Sequence, residues 1–203
     1  MPTLAEKLKF CTGTCTGGSY NKLVQSDEIL KNNIKGHDEG ICLGISMAWL
    51  GMCRNGVNFG KEKPFQSTWK FITRIQVISE REGDDLVKGK LYAKSWAKAW
   101  EATGFRYAGV HMAPFTFDSI GRYVARIKGA YMLKVPNHAM AAYNSGDKYR
   151  FLDPNAGQAF FQDKDEFWLC LARYFCDSYV ASTYDLEGPR GVWKNSVIVY
   201  RLD

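Results

Sequence analysis

The chain lacks any apolar run near the roughly 18–20 residues that a membrane-spanning helix needs, so a bilayer-embedded protein is not expected. Met1 to Phe10 is polar and has no apolar core of the secretory kind. Synthesis in a cytosol without a cleavable signal is therefore expected, with export left open to machinery that reads none. Dense runs of Lys or Arg are also missing. Twenty-seven basic residues stand against 21 acidic ones, and the resulting +6 is spread along the chain. That leaves contact with an anionic membrane surface open but gives no reason to expect nucleic-acid binding. Six cysteines in 203 residues are too few for a disulfide scaffold. The C-x3-C pair Cys11 and Cys15, and the pair Cys170 and Cys176, lack the spacing of a zinc site. Free buried thiols are expected, with no metal and no cofactor. Repeats and low-complexity segments are absent. With only three histidines, His37, His111 and His138, any imidazole chemistry has few places to reside.

Hydrophobic residues make up 46% of the chain and aromatics 14%, enough for a packed core. Length favours one domain over residues 36–203, preceded by an N-terminal arm, 1–35, that is either part of it or flexible. Glycine and hydroxyl residues make Thr12 to Ser19 loop-like. Helices are expected over Asp27–Ile34, Cys42–Cys53, Phe65–Arg81, Leu86–Thr103, Phe117–Ile127 and Asp163–Tyr179. In the last of these, Phe167, Leu171, Tyr174 and Phe175 face inward. A period of two predicts strands over Tyr131–Val135, His138–Tyr143, Tyr149–Asp153 and Ser196–Tyr200. Helices come first and antiparallel strands later, so the fold class is α+β.

Three residues suit thiol catalysis. Cys42 opens an apolar helix, where unpaired N–H groups and the helix dipole favour a thiolate. Its own backbone N–H would face a developing oxyanion. Gly40 permits an unusual backbone turn just before it. His138 begins a strand and Asp153 ends the next one. Pairing Tyr143 with Lys148 across Asn144-Ser145-Gly146-Asp147 sets His138 directly opposite Asp153, with Cβ atoms about 4.5–5.5 Å apart. A carboxylate there can fix the imidazole tautomer and stabilise the imidazolium. His111, in an expected loop Gly109–Pro114, has no acidic partner at helical or strand spacing. His37 or Asp38 could stand near the oxyanion, whereas Gln25 is far from Cys42 in sequence.

The stretches Gly40-Ile41-Cys42-Leu43-Gly44-Ile45-Ser46-Met47-Ala48-Trp49-Leu50, Asn137-His138-Ala139-Met140-Ala141 and Phe151-Leu152-Asp153-Pro154-Asn155-Ala156-Gly157 resemble the nucleophile, histidine and aspartate motifs of the YopT/AvrPphB family of cysteine proteases. The resemblance covers roughly residues 36 to 200. It implies a papain-like cysteine protease fold, the nucleophile helix packed on a C-terminal antiparallel sheet. It also implies Cys42 as nucleophile, His138 as base and then acid, and Asp153 as orienting group. Members of that family are bacterial effectors or toxins, delivered into host or rival cells, that cleave protein substrates there, so the resemblance implies secretion from a bacterium and leaves room for an immunity or chaperone protein as partner. The short arm leaves little room for a self-cleaved segment, and no glutamine just upstream of Cys42 supplies an oxyanion side chain. The same triad would also serve a transglutaminase-like acyltransferase or a peptidoglycan amidase. A non-enzymatic protein-binding module, using an aromatic-rich surface, is the contrasting class.

Overall fold

A computed structural model of the protein describes residues 2–34, 40–57, 59, 66–87, 97–112, 117–135, 138–186 and 197–203. Eight helices and seven strands lie among them: α1 Leu4–Gly13, β1 Ser19–Asn21, α2 Gln25–Lys31, α3 Cys42–Arg54, α4 Gln66–Val87, α5 Ala97–Ala102, β2 Tyr107–Met112, α6 Phe117–Arg126, β3 Gly129–Val135, β4 His138–Asn144, β5 Tyr149–Asp153, β6 Gly157–Phe161, α7 Lys164–Cys176, α8 Ser178–Thr183 and β7 Ile198–Leu202. The strands form one antiparallel sheet in the order β1-β6-β5-β4-β3-β7-β2.

The sheet is apolar on both faces, and a separate core lies on each. Met132, Ala139, Ala141 and Leu152 point to the side where Ile45, Trp49, Ile72 and Trp100 come from α3, α4 and α5. Leu133, Met140, Ala142 and Phe151 point to the other side and meet Leu8, Val124, Phe167, Tyr174 and Phe175 from α1, α6 and α7. This explains why β3 and β4 read as nearly continuous apolar runs. A strand covered on both faces has no solvent side on which to alternate. It also explains α3, in which nine residues from Leu43 to Cys53 are buried: the helix is wedged between the sheet and α4. At Gly44 the two helices touch so closely that a Cβ would collide with the backbone carbonyl of Ile72.

The α+β class holds, with α3, the helix that Cys42 opens, on an antiparallel sheet. The order "helices first, strands later" needs correction, because β1 and β2 join the sheet from earlier in the chain. The arm is not irregular either. Thr3 caps α1 in a capping box with Glu6: the Glu6 N–H donates to Thr3 Oγ1 at 3.2 Å, and the Thr3 N–H to Glu6 Oε2 at 2.6 Å. Ser19–Asn21 pairs with β6, itself absent from the sequence-based expectation. The segment Gly109–Met112 belongs to β2 rather than a loop, whereas Ala113 and Pro114 lie outside the described residues. Of the helix expected over Leu86–Thr103, residues 97–102 form α5, and 88–96 lie outside the described residues. The helix expected through Arg81 runs on to Val87, and the long helix expected to Tyr179 breaks at Asp177. There the backbone becomes extended (φ −66°, ψ 125°) and the side chain caps α8.

The β4–β5 register also differs from the expectation. Asn144 pairs with Tyr149 and Ala141 with Leu152, so the ladder is offset by two residues and the loop has four. Asn144 causes this. Its Oδ1 accepts from the Gly146 N–H at 2.7 Å, and its Nδ2 donates to the carbonyls of Val124, Ala125 and Ile127, where α6 ends. An offset of two leaves every side chain on its face. His138 and Asp153 therefore meet diagonally rather than directly across.

Candidate active site

Cys42 sits at the N-terminus of α3, half-buried. The N-cap, Ile41, offers no side-chain acceptor to the first turn. Other elements supply them: Gln25 Oε1 accepts from the Ile41 N–H at 2.9 Å, and Gln76 Oε1, from α4, accepts from the Gly44 N–H at 3.0 Å. Gly40 turns the chain into the helix at φ +104°, and a Cβ there would stand 2.9 Å from Gln25 Oε1. Both the backbone conformation and the close approach demand glycine.

His138 opens β4 and Asp153 closes β5, so the end of the sheet sets their positions. The ring Nε2 lies 2.8 Å from Asp153 Oδ1. Tyr184 stacks on the imidazole, with centroids 4.8 Å apart and planes within 6°. Asp153 is fully buried, which would be very unfavourable for an unpaired charge. It is instead saturated. Oδ1 takes the His138 ring and the Asn155 N–H at 2.8 Å; Oδ2 takes the hydroxyls of Tyr174 at 2.7 Å and Tyr184 at 2.6 Å.

The electrostatics follow from this arrangement. Burial alone would push the Cys42 thiol up. A hydrogen bond to His138, the positive charge of that ring, the Ala139 N–H and the Lys134 ammonium outweigh it and bring the thiol below its ordinary value. Burial would favour neutral His138, but the Asp153 charge and hydrogen bond, assisted by Cys42, raise it to about 10. For Asp153 burial works upward, and the His138 charge and bond, with Tyr184 and the Asn155 N–H, hold it below the usual carboxylate range. Tyr174 and Tyr184 keep their protons, because burial and the adjacent carboxylate push both well above the ordinary phenol value. Since Nε2 serves Asp153, the nitrogen left for Cys42 is Nδ1. The arrangement favours a thiolate–imidazolium pair at the mouth of a helix dipole.

Cys42, His138 and Asp153, singled out from sequence, thus stand together. His37 and Asp38 lie outside the described residues, and His111 is placed only by its backbone, in β2. Gln25, Asn155, Tyr174 and Tyr184 were not anticipated at the site. Gln25 gave no local signal, because its partners Ile41 and Asn155 are 16 and 130 residues away. Tyr174 was read correctly as inward-facing, but its hydroxyl partner is invisible to periodicity. Of the six cysteines, Cys11, Cys15, Cys53 and Cys170 are buried free thiols, but Cys176 is exposed. Among the described residues no cluster of His, Cys, Asp or Glu is arranged to hold a metal, and no helix is long and apolar enough to cross a membrane.

Residues 118–186, which include His138 and Asp153, match the model of the family described as Yersinia/Haemophilus virulence surface antigen, Peptidase_C58. No curated protein matches the chain by sequence. Among solved structures, the Pseudomonas avirulence protein AvrPphB superposes with a TM-score of 0.55 at 19% identity, over 80% of this chain and 91% of that one. PatoxP, a cysteine protease-like domain of the Photorhabdus asymbiotica toxin PaTox, superposes with a TM-score of 0.53 at 15% identity, over 98% of this chain and 57% of that one. The fold is therefore the papain-like one, and the segment that carries His138 and Asp153 is similar to the Peptidase_C58 family.

Proposed function

We propose that the protein is a papain-like thiol protease acting through Cys42, His138 and Asp153. The observation that carries this reading is the 2.8 Å contact between Asp153 Oδ1 and His138 Nε2, beside Cys42 at a helix N-terminus. The Cys42 sulfur attacks the scissile carbonyl carbon, forming a C–S bond and an oxyanion. The Cys42 backbone N–H and the α3 dipole face that charge. His138 gives its Nδ1 proton to the leaving amine as the C–N bond breaks, leaving a thioester. Now neutral, the ring takes a proton from water, which attacks the thioester; the C–S bond breaks, the acid departs and the thiolate–imidazolium pair is restored. Asp153 keeps the Nε2 proton in place and stabilises the cation whenever it forms.

The substrate would be a protein in a target cell, and the chain an effector or toxin delivered there. We also propose that residues 1–35 belong to the same domain as 36–203, since α1 packs on α7 and β1 extends the sheet. Incubation with a protein mixture, with a glutamine peptide plus an amine, and with purified murein separates protease from acyltransferase and amidase. Proteolysis that disappears in Cys42→Ala is expected. Murein cleavage or amine incorporation without proteolysis would overturn the assignment.

A further inference from the structure

Gln25 begins α2 and is buried, yet it bonds to both loops that frame the candidate site. Its backbone N–H donates to the Pro154 carbonyl at 2.7 Å. Its Oε1 accepts from the Ile41 N–H at 2.9 Å, and its Nε2 donates to Asn155 Oδ1 at 2.5 Å. Asn155 Nδ2 in turn lies 3.5 Å from His138 Nδ1. A run of polar contacts therefore links the chain before Cys42 to the ring nitrogen that serves Cys42.

The direction of this run is determined at both ends. A backbone N–H only donates, so the Gln25 atom that meets Ile41 must be its oxygen. Its NH2 then faces Asn155, which must answer with its carbonyl, and the Asn155 NH2 is turned toward His138. At the other end, the Tyr184 hydroxyl commits its proton to Asp153 Oδ2, so only its oxygen lone pairs are left to face the Asn155 amide. Reversing Asn155 would break the Gln25 bond and set one acceptor against another.

Orientation matters because of what would otherwise face Nδ1. A carbonyl there would accept the Nδ1–H of the imidazolium and compete with the Cys42 thiolate for it, whereas an NH2 cannot. We propose that Gln25 is a positioning residue that fixes the Asn155 amide and so reserves His138 Nδ1 for Cys42. The inference rests on the reading of Cys42 and His138 as nucleophile and base.

Gln25→Glu tests it. The introduced carboxylate, ionised near pH 8, still accepts from the Ile41 N–H but cannot donate. Asn155 then turns its NH2 toward it and its carbonyl toward His138. The readout is the iodoacetamide alkylation rate of Cys42 in the folded protein, resolved by peptide mass spectrometry. A loss of about tenfold or more is expected. Adding Asn155→Ala removes the turned carbonyl and should recover most of that loss, which a packing or charge effect of the carboxylate would not allow. Gln25→Met removes both side-chain bonds without reversing the direction, so its loss should be smaller than that of Gln25→Glu. A simple clamp gives the opposite ranking, because the carboxylate keeps the Ile41 bond. The proposal is overturned by a wild-type rate in Gln25→Glu, by no recovery in the double variant, or by Gln25→Met being the worse. If Gln25→Glu does not fold, a loss beyond tenfold in Gln25→Met overturns it, and a smaller one upholds it. Wild-type Cys42 reacting no faster than exposed Cys176 would instead sink the underlying triad.

Discussion

Asp153 accepts four hydrogen bonds, and its two hydroxyl donors can be removed singly. Tyr174→Phe and Tyr184→Phe each take one hydroxyl from Oδ2, leaving a buried charged acceptor short of a partner. Each should lower stability by about 1.5–3 kcal/mol in denaturant titration. Asp153→Ala, which strands both hydroxyls and the His138 Nε2–H, should lower it further. Activity should follow a different order. Cys42→Ala and His138→Ala abolish proteolysis while the fold survives, as circular dichroism would show. Asp153→Ala costs less activity than either, because His138 keeps its place against Tyr184.

The pH dependence belongs to the same scale. Asp153 titrates below its unfolded value, so its stabilisation is present above about pH 4 and fades as pH falls through the lower folded value. The thiolate–imidazolium pair exists between the lowered Cys42 value and about 10, where His138 loses its proton. A plot of kcat/KM against pH should therefore rise on an acid limb below the ordinary thiol value and fall near 10.

Among the elements, α3 carries Cys42, the proposed nucleophile, and nine of its residues are buried. Gly44→Ala would drive a Cβ into the Ile72 backbone of α4. Neither helix can yield without disturbing the first turn that presents Cys42. A drop of about 1–3 kcal/mol in stability is expected, together with slower Cys42 alkylation. Removing the α1 capping box with Thr3→Ala should instead cost about 1 kcal/mol and leave that rate unchanged, since α1 lies against α7 on the opposite side of the sheet.

Elements were legible in the sequence where length and period reinforced each other: α3, α6, the body of α7, and β3 to β5. The three-residue β1 is too short to show a period, and β6 follows directly on the Asp153 turn, opening on a glycine that reads as part of that turn. The β4–β5 register was two residues out because the Asn144 side chain binds the end of α6, a contact no local pattern records. His138 and Asp153 still share a face after that offset, because parity, not register, decides the face. Their surroundings were illegible for the same reason as β1: Gln25, Tyr174 and Tyr184 reach the site only through the fold.

At the scale of the whole molecule, a single sheet with two cores brings its two faces together at the end where β4 starts. Cys42 arrives from the α3 side, whereas Tyr174 and Tyr184 arrive from the α7 side. His138 and Asp153 stand between them. Residues of α1 and β1 complete the second core and one sheet edge, so deleting residues 1–24 should abolish cooperative unfolding rather than trim a tail. A truncated chain that melts like the full one would show that the arm is dispensable.

Catalysis as proposed requires Cys42 to be an activated thiolate. The most direct measurement is iodoacetamide alkylation of all six cysteines in the native protein near pH 6, followed residue by residue. Cys176 is the control, because it is exposed whereas Cys42 is only half-buried. Access alone would make Cys176 faster. The prediction is that Cys42 reacts much faster than Cys176 and that His138→Ala removes the difference. Equal rates, or a faster Cys176, would contradict the account.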